Sequence, residues 1–94
     1  MSYSAEIMET QGDYSLVKWE GRKFPGLLIQ GDTLTTVLDD LSEARSELDV
    51  GNVDDGRFAL GEALRKVEQM LSSYEEMMLL AGVKLPYFRS DHAE

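Results

Sequence analysis

The stretch Gly21–Leu34, GRKFPGLLIQGDTL, decides how this chain is read, because strand-like sequence precedes it and helix-like sequence follows it. It holds Pro25, three of the eight glycines, a short apolar run and the start of a helix. Proline fixes φ and pushes Phe24 out of the helical region, while Gly26 permits a tight turn. Leu27, Leu28 and Ile29 form a continuous apolar run bounded by turn residues, a pattern that suits a buried strand rather than an edge. Gly31-Asp32-Thr33 is then a strand-to-helix junction, with Asp32 or Thr33 as the N-cap of a first helix.

Outward toward the N-terminus, Tyr14–Trp19 (YSLVKW) is rich in β-branched and aromatic residues and reads as a strand. Gln11-Gly12-Asp13 is a hairpin turn signal, and Ser4–Thr10 (SAEIMET) supplies the partner strand. Alternation places Ser15, Val17 and Trp19 on one face and Tyr14, Leu16 and Lys18 on the other, and either face could meet the core.

Outward toward the C-terminus, Leu34, Val37, Leu38, Leu41, Ala44 and Leu48 recur at helical spacing as one stripe. Asp39, Asp40, Glu43 and Glu47 fall away from it, so the helix has an acidic outside. Residues 49–56 (DVGNVDDG) end it with two glycines and an asparagine. A long second helix follows, with Leu60, Leu64, Val67, Leu71, Tyr74 and Met78 as its main stripe. Ala59, Ala63, Met70 and Met77 flank and widen that stripe. A helix so broadly apolar needs more than one neighbour: the sheet and the first helix, or a second copy of the chain. Gly82 and Pro86 stop it, Val83, Leu85, Tyr87 and Phe88 are expected to fold back, and Arg89–Glu94 is expected to be mobile.

The expected architecture is therefore a single α+β domain over 1–94, a three-stranded antiparallel meander followed by two helices packed on one face (β-β-β-α-α). Its parts are a sheet over 1–31, an acidic helix over 32–49, a long helix over 55–82 and a tail over 83–94. Ninety-four residues support one modest core. No apolar run approaches the roughly 20 residues of a membrane span. The N-terminus, MSYSAEIMET, lacks the basic flank and apolar core of a secretory signal. There is no cysteine, which removes disulfides, thiol catalysis and most structural zinc sites. A cytoplasmic location is the expectation.

The formal net charge of −9 is concentrated rather than spread. Residues 32–55 carry eight acids against Arg45 alone, a net of −7, whereas the segments on either side carry −1 each. A concentrated excess can steer a basic partner, and it opposes direct binding to nucleic-acid phosphates. The loop at 49–56 fails as a calcium loop: with Gly56 at the sixth position, the first and third fall on Gly51 and Val53, which offer no side-chain ligands. The junction at Gln30–Thr33 has one glycine, no lysine and an acid where an anion would sit, so it suits capping rather than phosphate. His92 is the one histidine and lies near the end, which leaves catalytic triads and histidine metal sites hard to build. The expectation is no enzyme, no metal and no cofactor. Two signals remain: the acidic face with its following loop, and Arg22-Lys23-Phe24 beside Trp19, where the aromatics serve a core more readily than a binding hot spot.

The residues Gly21, Arg22, Phe24, Pro25, Gly26, Gln30, Gly31, Asp32, Thr33 and Leu34 resemble the signature of a family of small bacterial proteins of unknown function, GR-x-FPG followed by QGD, Ser or Thr, and Leu. Small acidic proteins of this kind look like immunity partners of toxins, and the resemblance implies no catalytic or binding residue. Taken with the charge, the expected function is a non-catalytic inhibitor that covers a basic toxin or nuclease surface with Asp39, Asp40, Glu43, Glu47, Asp54 and Asp55. Arg22 and Gln30 are secondary candidates. The alternative is a structural or regulatory homo-oligomer, such as a homodimer, built on the long second helix.

Overall fold

The computed structural model describes residues 4–88, which form three antiparallel strands followed by two helices, the expected α+β class. In chain order these are β1 (Ala5–Gln11), β2 (Tyr14–Trp19), β3 (Gly26–Leu28), α1 (Gly31–Asp49) and α2 (Val53–Leu80). His92 and the tail expected to be mobile lie outside the described residues. The chain divides into two compact units, Met1–Leu28 with Ser73–Glu94, and Ile29–Ser72. The end of α2 belongs to the first, and α1 with the longer part of α2 makes the second.

In the first unit the strands lie in the order β1-β2-β3. Gln11 pairs with Tyr14 across a two-residue loop, where Gly12 takes φ +59°, as tight hairpin loops require. A bulge between Ile7 and Glu9 shifts the register, so Ile7 opposes Val17 while Glu9 opposes Leu16. The third strand pairs with β2 alone and is three residues long. It is an edge, with Leu28 about half exposed, which corrects the reading of Leu27–Ile29 as a buried strand. A three-stranded meander leaves its last strand one open side, and shortness protects that side from pairing with other chains.

Of the two faces of β2, the one carrying Leu16 meets α2. Gln11, on that face by its pairing with Tyr14, accepts a hydrogen bond from Ser73 Oγ at 2.8 Å. It also donates from Nε2 to the Glu76 carboxylate. Leu16, Met77 and Met78 have no exposed surface there. Tyr74 is buried with them; its hydroxyl donates to the Pro25 carbonyl at 2.7 Å, and its ring stacks on Tyr87 at 6.4 Å between centroids. Tyr87 thus folds back as expected, donating to Glu75 at 3.0 Å, whereas Phe88 stays exposed.

In the second unit α1 begins at Gly31 with Gln30 as N-cap and no side-chain cap. This corrects the assignment of the cap to Asp32 or Thr33. Asp32 lies one residue inside the helix, where its Oδ1 accepts the Thr33 N–H at 2.8 Å and its charge faces the positive helix end. The other end closes as a Schellman turn: Gly51 at φ +83° donates to the Leu48 carbonyl, and Asn52 donates to the Glu47 carbonyl at 2.8 Å. The connection is only Val50–Asn52, and α2 starts at Val53, earlier than expected, because the Asn52 carbonyl already takes the Gly56 N–H at 2.9 Å. Gly56 is where the helices come close: a Cβ there would sit 2.8 Å from the Leu48 side chain and 3.3 Å from the Ala44 carbonyl.

The burial of this helical hairpin keeps only Val37 and Ala44 of the expected α1 stripe, and on α2 it falls on the expected flank rather than on the first half of the main stripe. Buried residues are Val37 and Ala44 on α1, and Gly56, Ala59, Ala63 and Met70 on α2. Leu34, Leu38, Leu41 and Leu48 are each about half exposed, and so are Leu60, Leu64 and Val67, the first half of what the spacing marks as the main stripe. Close helix approach needs small residues at the contact line, and it leaves larger neighbours on the edge of each stripe uncovered.

Candidate protein-binding surfaces

At about 100° per residue, the exposed leucines of α1 and the exposed Leu60, Leu64 and Val67 of α2 lie to the same side of the buried line. Between them runs a concavity of about 180 Å³, lined by Val37, Leu41, Leu60, Ala63, Leu64 and Val67 without a polar side chain. The hairpin therefore has one apolar side.

The expected partner-binding acids lie away from that side. Asp39 and Glu43 are exposed on α1, and Asp54 and Asp55 are exposed in the first turn of α2, where they suit the positive helix end. Asp40 and Glu47 are half-buried and engaged within the hairpin. Asp40 Oδ2 meets Lys66 Nζ at 2.7 Å, and Glu47 accepts from Asn52 Nδ2 at 3.4 Å. The structure thus leaves Asp39, Glu43, Asp54 and Asp55 open on the acidic side, and gives Asp40 and Glu47 a local structural use. Arg65, exposed nearby, has its pKa raised by the hydrogen bond and charge of Glu62, 2.8 Å away.

The secondary candidates fall in different units. Arg22 lies over the Trp19 ring at 5.9 Å, a cation–π contact, and the same indole lies across Gly26, where a Cβ would be 2.4 Å from a ring carbon. Gln30 serves α1 through its carbonyl, which accepts the Leu34 N–H at 3.1 Å. Trp19 is about 40% exposed and Phe24 is half-buried under Lys23, so neither is a full core residue. A shallow open concavity of about 410 Å³ borders Glu6, Lys18, Trp19 and Arg22, and its mixed charges select no ligand class. Among the described residues no group of histidine, aspartate and glutamate is arranged to hold a metal, and no helix is long and apolar enough to cross a membrane.

Sequence reasoning missed Gln11, whose two side-chain bonds tie the hairpin tip to α2. A polar residue beside a turn signal reads as solvated loop, and nothing local marks its distant partners. It also missed the exposed apolar edge, because periodicity finds a stripe but not how much of it one neighbour can cover.

The chain belongs to a family of unknown function, DUF6959, which matches it over residues 1–87. No curated protein and no solved structure matches it.

Proposed function

We propose that this chain is a non-catalytic protein-binding domain whose working part is the helical hairpin. The observation that carries this reading is the hairpin's burial: alanines and a glycine fill the contact between its helices while seven leucines and valines stand about half exposed along one side. Contiguous apolar surface of that kind marks interaction sites. The opposite, acidic side supports a basic protein partner, and in its narrower form the domain is a cytoplasmic, immunity-type inhibitor of a basic toxin or nuclease. Asp39, Glu43, Asp54 and Asp55 would steer the encounter, with Asp40 and Glu47 beside them. The Gly21–Leu28 part of the signature then belongs to the scaffold rather than to the docking surface, since its Gly26 and Arg22 are taken up by Trp19, whereas Leu34 is one of the exposed leucines.

The test is capture from a lysate of the source cell with the tagged chain, at low and at high salt, repeated with Asp39→Asn/Glu43→Gln, both exposed. Removing two interfacial charges should weaken capture by about tenfold and flatten its salt dependence. Equal capture by both chains would reduce the acidic side to ordinary surface.

A further inference from the structure

We infer that the apolar side of the hairpin is closed by a second copy of this chain, two hairpins meeting face to face as a four-helix bundle. This rests on reading the hairpin as a docking surface and adds the occupant. Three features of that side point to a copy rather than to another protein.

One is extent. Seven leucine and valine side chains about half exposed offer on the order of 500 Å² of apolar surface, and with a polar rim this approaches the roughly 800 Å² per partner of a specific interface. Another is shape. The shallow trough between α1 and α2 is lined by Val37, Leu41, Leu60, Ala63, Leu64 and Val67, and by helical spacing Leu38 and Leu64 stand as large exposed knobs toward its two outer sides. An isologous pair needs knobs and holes on one surface, and this surface has both.

The third feature is charge. A chain of net −9 repels its copy over most approaches. By helical spacing Arg45 falls among the outer leucines of α1, between Leu34 and Leu38, with Asp49 at their margin, and Arg57 and Glu68 lie at the outer margin on α2, all exposed. Two charges of each sign make the margin neutral and able to pair with itself. Asp39, Glu43, Asp54 and Asp55 lie elsewhere on the hairpin. A basic partner would prefer that acidic side, whereas a second copy meets no net charge at the margin of the groove.

Sedimentation velocity or light scattering on the full chain, over a dilution series, reads this directly. Twice the chain mass is expected at high micromolar concentration, with dissociation on dilution. Leu64→Glu should return the chain to its monomer mass with its helical circular dichroism retained, and Asp39→Arg, on the other side, should leave the dimer intact. Arg45→Glu/Arg57→Glu, exposed changes that spare the fold, should raise the dimer dissociation constant at least about tenfold by making the margin uniformly acidic. A wild-type chain that is monomeric throughout the series overturns the inference, as does a dimer indifferent to both Leu64→Glu and the arginine pair. If the wild type is monomeric and Leu64→Glu abolishes capture from the lysate, the hairpin still docks a protein and only the second copy is overturned.

Discussion

The two units of this chain spend their large apolar residues in opposite ways. Where the sheet meets the end of α2, the largest side chains are the most buried: Leu16, Met77 and Met78 show no surface, and Tyr74 is covered with its hydroxyl satisfied by Pro25. In the hairpin of α1 and the rest of α2, mainly alanines and a glycine are buried, with Val37 and Met70, and leucines stand half open. Both segments of α2 read as the same broad apolar helix. What differs is the partner, since a sheet presents a wide surface that can cover a stripe from several sides, whereas one helix covers only a line. The first unit is closed where the sheet meets α2, although Ile7, Leu79, Leu80 and Phe88 stand exposed elsewhere on it; the second leaves one apolar face exposed.

The sharpest way to test this contrast is a matched pair of truncations. Met77→Ala empties a site with no exposed surface, and should cost about 2–5 kcal/mol at every protein concentration. Leu64→Ala removes a side chain that is more than half exposed, and in dilute solution should cost no more than about 1 kcal/mol. Its cost should grow with concentration, because a dimeric fold is stabilised by mass action and the variant loses that increment. Chemical denaturation at two well-separated concentrations measures both. Equal, concentration-independent losses would mean that the hairpin is as complete as the sheet.

Much of this architecture was legible in the sequence. Three strands, their hairpin and two helices are written in alternation, turn residues and helical spacing, and YSLVKW marks β2 to the residue. What was not legible depends on neighbours. Leu27 and Leu28 look like interior strand, yet a meander of three has nothing to place beyond β3. Leu60, Leu64 and Val67 look like the centre of a stripe, yet Ala59 and Ala63 form the contact line, because the approach at Gly56 favours small side chains. The acids of α1 look uniform, yet Asp40 lies within reach of Lys66, which is 26 residues away in the chain and gives no local signal.

The stretch Gly21–Leu28 belongs to the first unit, and a second substitution probes how tightly. A Cβ at Gly26 would lie 2.4 Å from the Trp19 ring, so Gly26→Ala forces the indole or the strand to move and should cost about 1–3 kcal/mol. Most of that loss should vanish in a Trp19→Leu background, which removes the obstructing ring; a double-mutant cycle gives the coupling. Additive losses would show that Gly26 is required for its backbone rather than for the space it leaves. At Gly61, by contrast, a Cβ meets nothing, and Gly61→Ala on exposed α2 should stabilise the chain by up to about 1 kcal/mol.

The smallest effect separates the units by pH. Burial raises the Tyr74 phenol above its ordinary 10.0, since its charged form would lose water with little in return. The unfolded chain then releases this proton before the folded chain does. The stability that the neutral phenol contributes is complete below about pH 10 and is lost as pH rises through the folded value. Tyr74→Phe keeps the ring but leaves the Pro25 carbonyl without its donor, so at neutral pH it should cost about 1 kcal/mol. Because phenylalanine does not titrate, the advantage of the native chain should narrow as pH climbs from about 8 to about 11. Urea midpoints of the two chains across that range measure it, and an advantage that stays constant would mean that burial does not hold Tyr74 neutral. The groove of the hairpin has no titratable side chain in its lining, so Leu64→Ala should show no matching alkaline change relative to the native chain. A pH-dependent loss at Leu64 would mean that charge, rather than apolar burial, closes the open face.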